Sequence, residues 1–125
     1  MVYLLDTNII IRFLTGDDEK FLAQSKKYFQ DIENSILEVE ILEGVLMEAF
    51  FVLTKFYKLP KKSVLSDLKI ILSLEGVVNT NKTILFETLS LIETKNIDFV
   101  DALICAKSNL QGYGKISFDS DLKKC

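Results

Sequence analysis

Four carboxylates occupy positions that ask for an explanation: Asp6 closes the first apolar run, Glu48 interrupts a long apolar segment, Asp101 opens another, and Asp119 follows the last. The chain has no histidine. It therefore lacks the usual general acid/base, the commonest transition-metal ligand and every Ser-His or Cys-His nucleophile. Carboxylates, lysines and hydroxyls must carry any chemistry. Gathered acids repel: two unit charges 4 Å apart cost about 4 kcal/mol at an effective dielectric of 20. A hard divalent cation removes that penalty, and oxygen-only donors select Mg²⁺ or Mn²⁺ over zinc. Such a site would activate water for hydrolysis.

Each acid also has a plainer reading. Asp6 and Asp119 each follow a short apolar run, where Asp commonly turns the chain or caps a helix. Asp98 and Asp101 are spaced like a helix cap and its partner in the first turn, and Asp98 reads best that way. Asp101 could cap and still offer an oxygen to a cation. Glu48 has Gly44, Val45, Phe51 and Val52 as its helical neighbours, so it is expected on an apolar face. A buried carboxylate there must be paired, protonated or given a metal. The alternatives for Glu48 are a solvated helix edge or a pair with Lys55.

The elements that must position these acids alternate in type. Val2 to Leu5 reads as a strand, and Asn8 opens a helix with Ile9, Ile10, Phe13 and Leu14 apolar. Asp17 to Ile32 has amphipathic helical spacing, with Asp17 or Asp18 as its cap. Ile36 to Ile41 reads as a strand and Leu42 to Tyr57 as a long helix, broken at Leu59-Pro60. Lys61 to Leu74 forms the next helix, ended by Gly76. Val77-Val78 is a brief strand, Thr83 to Thr94 and Asp98 to Leu110 are helices, and Lys115 to Phe118 is a final strand. The alternation predicts an α/β fold, a three-layer α/β/α sandwich with a mostly parallel central sheet. In such a sheet Asp6 and Asp119 lie at carboxyl ends of strands, the edge where open α/β sheets bind ligands.

Bulk properties narrow the function classes. A chain of 125 residues, 49% hydrophobic and 26% charged, suits one ordered domain spanning residues 1–125 and excludes a disordered chain. No apolar run approaches the roughly 20 residues of a membrane helix, and the first residues have no secretion-signal pattern. The expected compartment is the cytoplasm. A net charge of −3 counts against a passive nucleic-acid coat, though less against a nuclease whose acids are neutralised by cations. Cys105 and Cys125 match no metal spacing and are expected to be plain thiols. Arg12, the sole arginine, could contact a phosphate or be an exposed helix charge. Lys55, Lys58, Lys61 and Lys62 form the densest basic stretch, and Phe50, Phe51, Phe56 and Tyr57 exceed what one core stripe needs.

The segments Leu4-Leu5-Asp6-Thr7-Asn8, Leu46-Met47-Glu48-Ala49, Asp98-Phe99-Val100-Asp101-Ala102 and Ser117-Phe118-Asp119-Ser120-Asp121 together resemble the PIN-domain family, particularly the VapC-type toxins of toxin–antitoxin modules. The resemblance covers almost the whole chain, in order. It implies a Mg²⁺- or Mn²⁺-dependent endoribonuclease with Asp6, Glu48, Asp101 and Asp119 as catalytic and metal-ligating acids. Asp121 would be a further acid for a second cation, and Thr7, Asn8 and Ser117 would be polar supporting positions. Glu43 is a poorer match than Glu48, because the family's glutamate lies in the apolar part of that helix. The resemblance further implies an RNA substrate, a homodimer and a cognate antitoxin. The alternatives are a non-catalytic binding domain of the same fold and a PIN-like nuclease of RNA or DNA processing. A haloacid-dehalogenase-type phosphatase would need an Asp where Asn8 stands, and a response-regulator receiver would need one after Val77-Val78, where Asn79 stands.

Overall fold

A computed structural model of the chain describes residues 1–125, apart from the side chains of Asp121 and Lys124. The chain divides into two compact units, Met1–Thr80 and Asn81–Cys125. Six α-helices and a small parallel sheet make an α/β fold, in agreement with the sequence expectation. No helix among the described residues is long and apolar enough to cross a membrane.

The first unit carries the sheet. Strand β1 (Val2–Leu4) pairs in parallel with β2 (Glu38–Glu40), in the register Val2↔Glu38, Tyr3↔Val39, Leu4↔Glu40. The other edge of β2 takes a parallel bridge, Val39↔Val77, so the brief Val77-Val78 run does join the sheet. Helices α1 (Thr7–Thr15) and α2 (Glu19–Glu33) connect β1 to β2. The Asp18 side chain caps α2 by accepting the Phe21 N–H at 3.1 Å. Beyond β2 come α3 (Glu43–Phe51) and α4 (Lys61–Ser73). Their buried side chains recur at helical spacing, Leu46 and Ala49 from α3, continued by Leu53 just beyond its end, and Val64, Leu65, Leu68 and Leu72 from α4. Each fully buried leucine contributes about 1.5–3 kcal/mol relative to exposure.

Two expectations for this unit change. The helix expected to run unbroken to Tyr57 is α-helical only to Phe51, and Val52–Phe56 is a π-helical turn. There the Tyr57 N–H donates five residues back to Val52, while the Thr54 hydroxyl donates to the Phe50 carbonyl at 2.8 Å. Apolar periodicity cannot distinguish the two helix types over a single turn. Gly76 was expected to end a helix, but α4 has already ended at Ser73. A Cβ on Gly76 would collide with the carbonyl oxygens of Ile32 and Leu37. The glycine is required because β2, the end of α2 and the 74–77 loop approach backbone to backbone. Its N–H donates to Ile32 at 2.8 Å, and its carbonyl accepts from Val39 at 2.8 Å.

The second unit has no strand. Helices α5 (Lys82–Lys95) and α6 (Phe99–Gln111) pack as a hairpin, burying Leu85, Leu89 and Ile92 from α5 and Ala102, Cys105 and Ala106 from α6. The final strand expected at Lys115 to Phe118 is not formed, and the segment is exposed throughout. A strand needs a neighbouring edge, and the helical hairpin offers none. A 3₁₀ turn, Ser120–Lys124, closes the chain.

Candidate active site

Asp6 leaves the sheet at the carboxyl end of β1 and occupies the N-cap position of α1 with an extended backbone. Its side chain makes no capping hydrogen bond. The plainer reading therefore fails here: the carboxylate is exposed and, among the described residues, unengaged. Thr7 begins α1 and is buried, whereas Asn8 is exposed on the next position. A cleft of ≈ 260 Å³ opens beside Asp6, Asn8 and Arg12. On the same sheet edge Asn79 presents a buried amide that clasps the Ile41 backbone. It accepts the Ile41 N–H at 2.8 Å and donates to the Ile41 carbonyl at 2.7 Å. This side chain continues the ladder past the end of β2, and sequence reasoning had assigned it no role.

Glu48 lies on α3 in a second cleft, ≈ 490 Å³, which also reaches Asn8 and Arg12. Asn8 and Arg12 are thus common to the clefts bordered by Asp6 and by Glu48. The expectation that Glu48 faces an apolar, burying surface is corrected, because its side chain is exposed. Nearly every position of α3 is apolar, so apolar neighbours do not mark the buried face. Leu46, Ala49 and Leu53 form that face, while Phe51 beside Glu48 is itself 60% exposed. No ion pair joins Glu48 to Lys55 among the described residues.

The far end of this cleft is braced by a polar cluster that the sequence did not reveal. Asp17 accepts hydrogen bonds from the Tyr57 hydroxyl at 2.7 Å, the Thr15 hydroxyl at 3.0 Å and an Arg12 Nη1–H at 3.1 Å. The Tyr57 hydrogen bond leads in holding the Asp17 carboxyl below its usual range; desolvation opposes it, and the hydrogen bonds from Thr15 and Arg12 add further lowering. The same bond raises the Tyr57 phenol above its usual value. The π turn makes this contact available. In an unbroken α-helix Tyr57 lies nine residues, about two and a half turns, beyond Glu48 and faces the opposite way. The wider turn rotates it back toward the cleft that Glu48 borders. Arg12 also stands over the Phe21 ring, 5.1 Å from its centroid.

In the second unit Asp101 sits half-buried in the first turn of α6. Asp98 holds the N-cap position, but its side chain makes no capping bond, so the expected cap is backbone only, with Ala102 N–H donating to the Asp98 carbonyl at 2.9 Å. Asp119 is exposed, and its N–H donates to the Ser117 hydroxyl at 2.8 Å. Ser117 thereby shapes the backbone that carries Asp119. The side chain of Asp121 lies outside the described residues. The expectation of two plain thiols is overturned: Cys105 and Cys125 form a disulfide, with their Cα atoms 5.4 Å apart. Twenty residues of separation hid the pairing, which depends on the tail folding back to α6. The Lys115 ammonium adds a 3.0 Å bond to the Leu122 carbonyl.

For a divalent cation the donor chemistry is suitable: every candidate ligand is a carboxylate, and Asp6 and Glu48 carry no competing protein partner among the described residues. Each unit contributes two of the four acids, and within neither unit do three or more His, Cys, Asp or Glu side chains group to hold a metal, among the described residues.

The family model described as "PIN domain" matches residues 3–125. A curated relative, a VapC ribonuclease of Aquifex aeolicus (strain VF5), is 25% identical over 122 residues, covering 97% of this chain and 90% of the relative. No solved structure gives a significant match.

Proposed function

The chain belongs to the PIN domain family, and from that premise we propose that it is a metal-dependent endoribonuclease, the toxin of a toxin–antitoxin pair. The observation that carries this reading is the pair of exposed, unengaged carboxylates Asp6 and Glu48, bordering clefts that share Asn8 and Arg12. The likeness to a VapC ribonuclease over nearly the full chain supports it. We take Asp6, Glu48, Asp101 and Asp119 as the catalytic acids and ligands of Mg²⁺ or Mn²⁺, with Asp121 as a further acid. Thr7, Asn8 and Ser117 are the supporting residues. One domain over residues 1–125, a cytoplasmic location, a homodimer and a cognate antitoxin complete the proposal.

A cation held by these carboxylates would supply Lewis acidity, with which a water could be activated and charge on the leaving oxygen neutralised. The protein's own residues do the rest. Asp6 and Glu48 give negative charge to hold the cation, and their lack of hydrogen-bond partners leaves their oxygens available as ligands. Asn8, between the two clefts, can donate its amide to a phosphate oxygen, and Arg12 can offer guanidinium N–H groups beside it. Ser117 orients the Asp119 backbone. Attack by water, with the RNA 2′-hydroxyl idle, leaves a 5′-phosphate and a 3′-hydroxyl.

The test is incubation of the purified protein with mixed cellular RNA in Mg²⁺ or Mn²⁺, with EDTA and Asp101→Ala as controls. New 5′-phosphate ends that require both the cation and Asp101 are expected. Identical fragments with and without EDTA would reject the metal-nuclease reading, and 2′,3′-cyclic phosphate ends would reject the mechanism.

A further inference from the structure

The cleft between α1 and the α3–π wall meets the proposed chemistry at Glu48, Asn8 and Arg12, and its Phe51, Lys55 and Phe56 are residues that chemistry does not use. Phe51 and Phe56 leave 60% and 77% of their surface exposed, although burial of each ring would be favourable. Lys55 stands on the same wall, exposed and without an ion pair among the described residues. Across the cleft Arg12 gives one N–H to Asp17 and, as a guanidinium, has further donors to offer. Lys55 and Arg12 therefore face one cleft with two exposed aromatic rings, Arg12 partly neutralised by its ion pair with Asp17 and Lys55 left without one among the described residues.

The walls are also held in place. Phe56 meets Tyr57 edge-on, with centroids 5.4 Å apart and planes at 72°. Tyr57 is in turn fixed by its 2.7 Å bond to Asp17. A ring braced in this way needs little reordering to receive a flat ligand. At ≈ 490 Å³ the cleft has the size of a small-molecule site. Exposed aromatic faces interleaved with cations are how proteins hold single-stranded nucleic acid: bases stack on the rings whatever their sequence, and the cations follow the phosphates.

The geometry points to a nucleotide subsite beside Glu48, in which an unpaired base of the RNA stacks on Phe56 and Phe51 while its phosphate is held by Lys55 and Arg12. This rests on the ribonuclease reading and adds where the substrate strand runs. A polypeptide partner filling the same cleft would be expected to use its apolar walls, Ile11 and Val52, and could meet the two cations only through acidic side chains, whereas every nucleotide of an RNA brings both a ring and a phosphate.

The test measures anisotropy of a labelled single-stranded phosphorothioate RNA decamer, which resists hydrolysis, in Mg²⁺ with the full chain. Phe56→Ala is expected to weaken binding roughly tenfold, and Phe56→Trp to keep or improve it. Lys55→Ala should weaken binding and reduce the salt dependence by about one counterion. Removing one base from the decamer should weaken wild type but add little to Phe56→Ala. No binding by wild type, or equal binding by wild type, Phe56→Ala and Lys55→Ala, overturns the subsite. Unchanged RNA affinity with lost binding of a purified cognate antitoxin would assign the cleft to protein instead. Cleavage of cellular RNA by the same preparations separates the two failures: cleavage with unchanged binding sinks the subsite alone, and no cleavage by wild type sinks the ribonuclease reading.

Discussion

Asp6 and Asp119 are held by opposite means. Asp6 stands where β1 turns into α1, and two regular elements fix its backbone. Asp119 stands in an exposed tail with no strand around it, secured by a bond to Ser117, the Lys115–Leu122 contact and the Cys105–Cys125 disulfide. A carboxylate on regular structure inherits its position from backbone hydrogen bonds. One in a tail needs local side-chain and covalent ties, and it should respond to conditions that leave the first untouched.

The largest expected effect tests whether Asp6 is free to act as a ligand. Asp6→Asn should lower cleavage by at least about 100-fold, since even groups one shell away from a metal cost 10–100-fold. Because its side chain caps nothing, the same change should leave the Tm in EDTA the same or higher. A clear drop in that Tm would restore the capping role and break the contrast.

Next in size, Gly76→Ala should destabilise the first unit by about 3 kcal/mol, because the colliding atoms are backbone carbonyls that cannot swing aside. Urea unfolding gives the number, and a cost under about 1 kcal/mol would show that the close approach is not needed. For the tail, Cys125→Ser opens a loop of twenty residues and should cost about 2–3 kcal/mol. Amide exchange should rise across residues 115–125 and stay unchanged in β1 and α1. Wild type without reductant that exchanges as fast as the variant would mean that the disulfide does not hold the tail.

The smallest effect concerns the brace at the cleft. Tyr57→Phe should lower the Tm slightly at neutral pH. The Asp17 carboxyl is held below its usual value of 3.8, so its contribution is present above that pH and is lost as pH falls through the folded-state value. The Tyr57 phenol is raised above 10.0, so its contribution is present below pH 10 and is lost as pH rises through the folded-state value. The difference between variant and wild type should therefore be flat near neutrality and shrink toward both extremes. A difference that persists unchanged at pH 2 would remove Asp17 from the account.

Helix positions were legible because buried side chains recur every three to four residues: α4 and α5 fall within one or two residues of the expected spans. Asp6 was placed correctly at a strand-to-helix junction for the same reason. Glu48 was singled out by an argument that the fold does not support. It was expected to be buried and it is exposed, because α3 is apolar on faces that pack nothing. Its candidacy now rests on its place in the cleft and on the family match.

The sequence by itself determined the α/β class, the helix spans and the junction that carries Asp6, since these follow from local periodicity and turn chemistry. Tertiary structure alone decided the π turn, the Asn79 clasp on Ile41, the Asp17–Tyr57 brace and the Cys105–Cys125 link. Each of the last three joins groups 20 to 40 residues apart. No local pattern encodes such a pairing, because its stability depends on packing that brings the partners together.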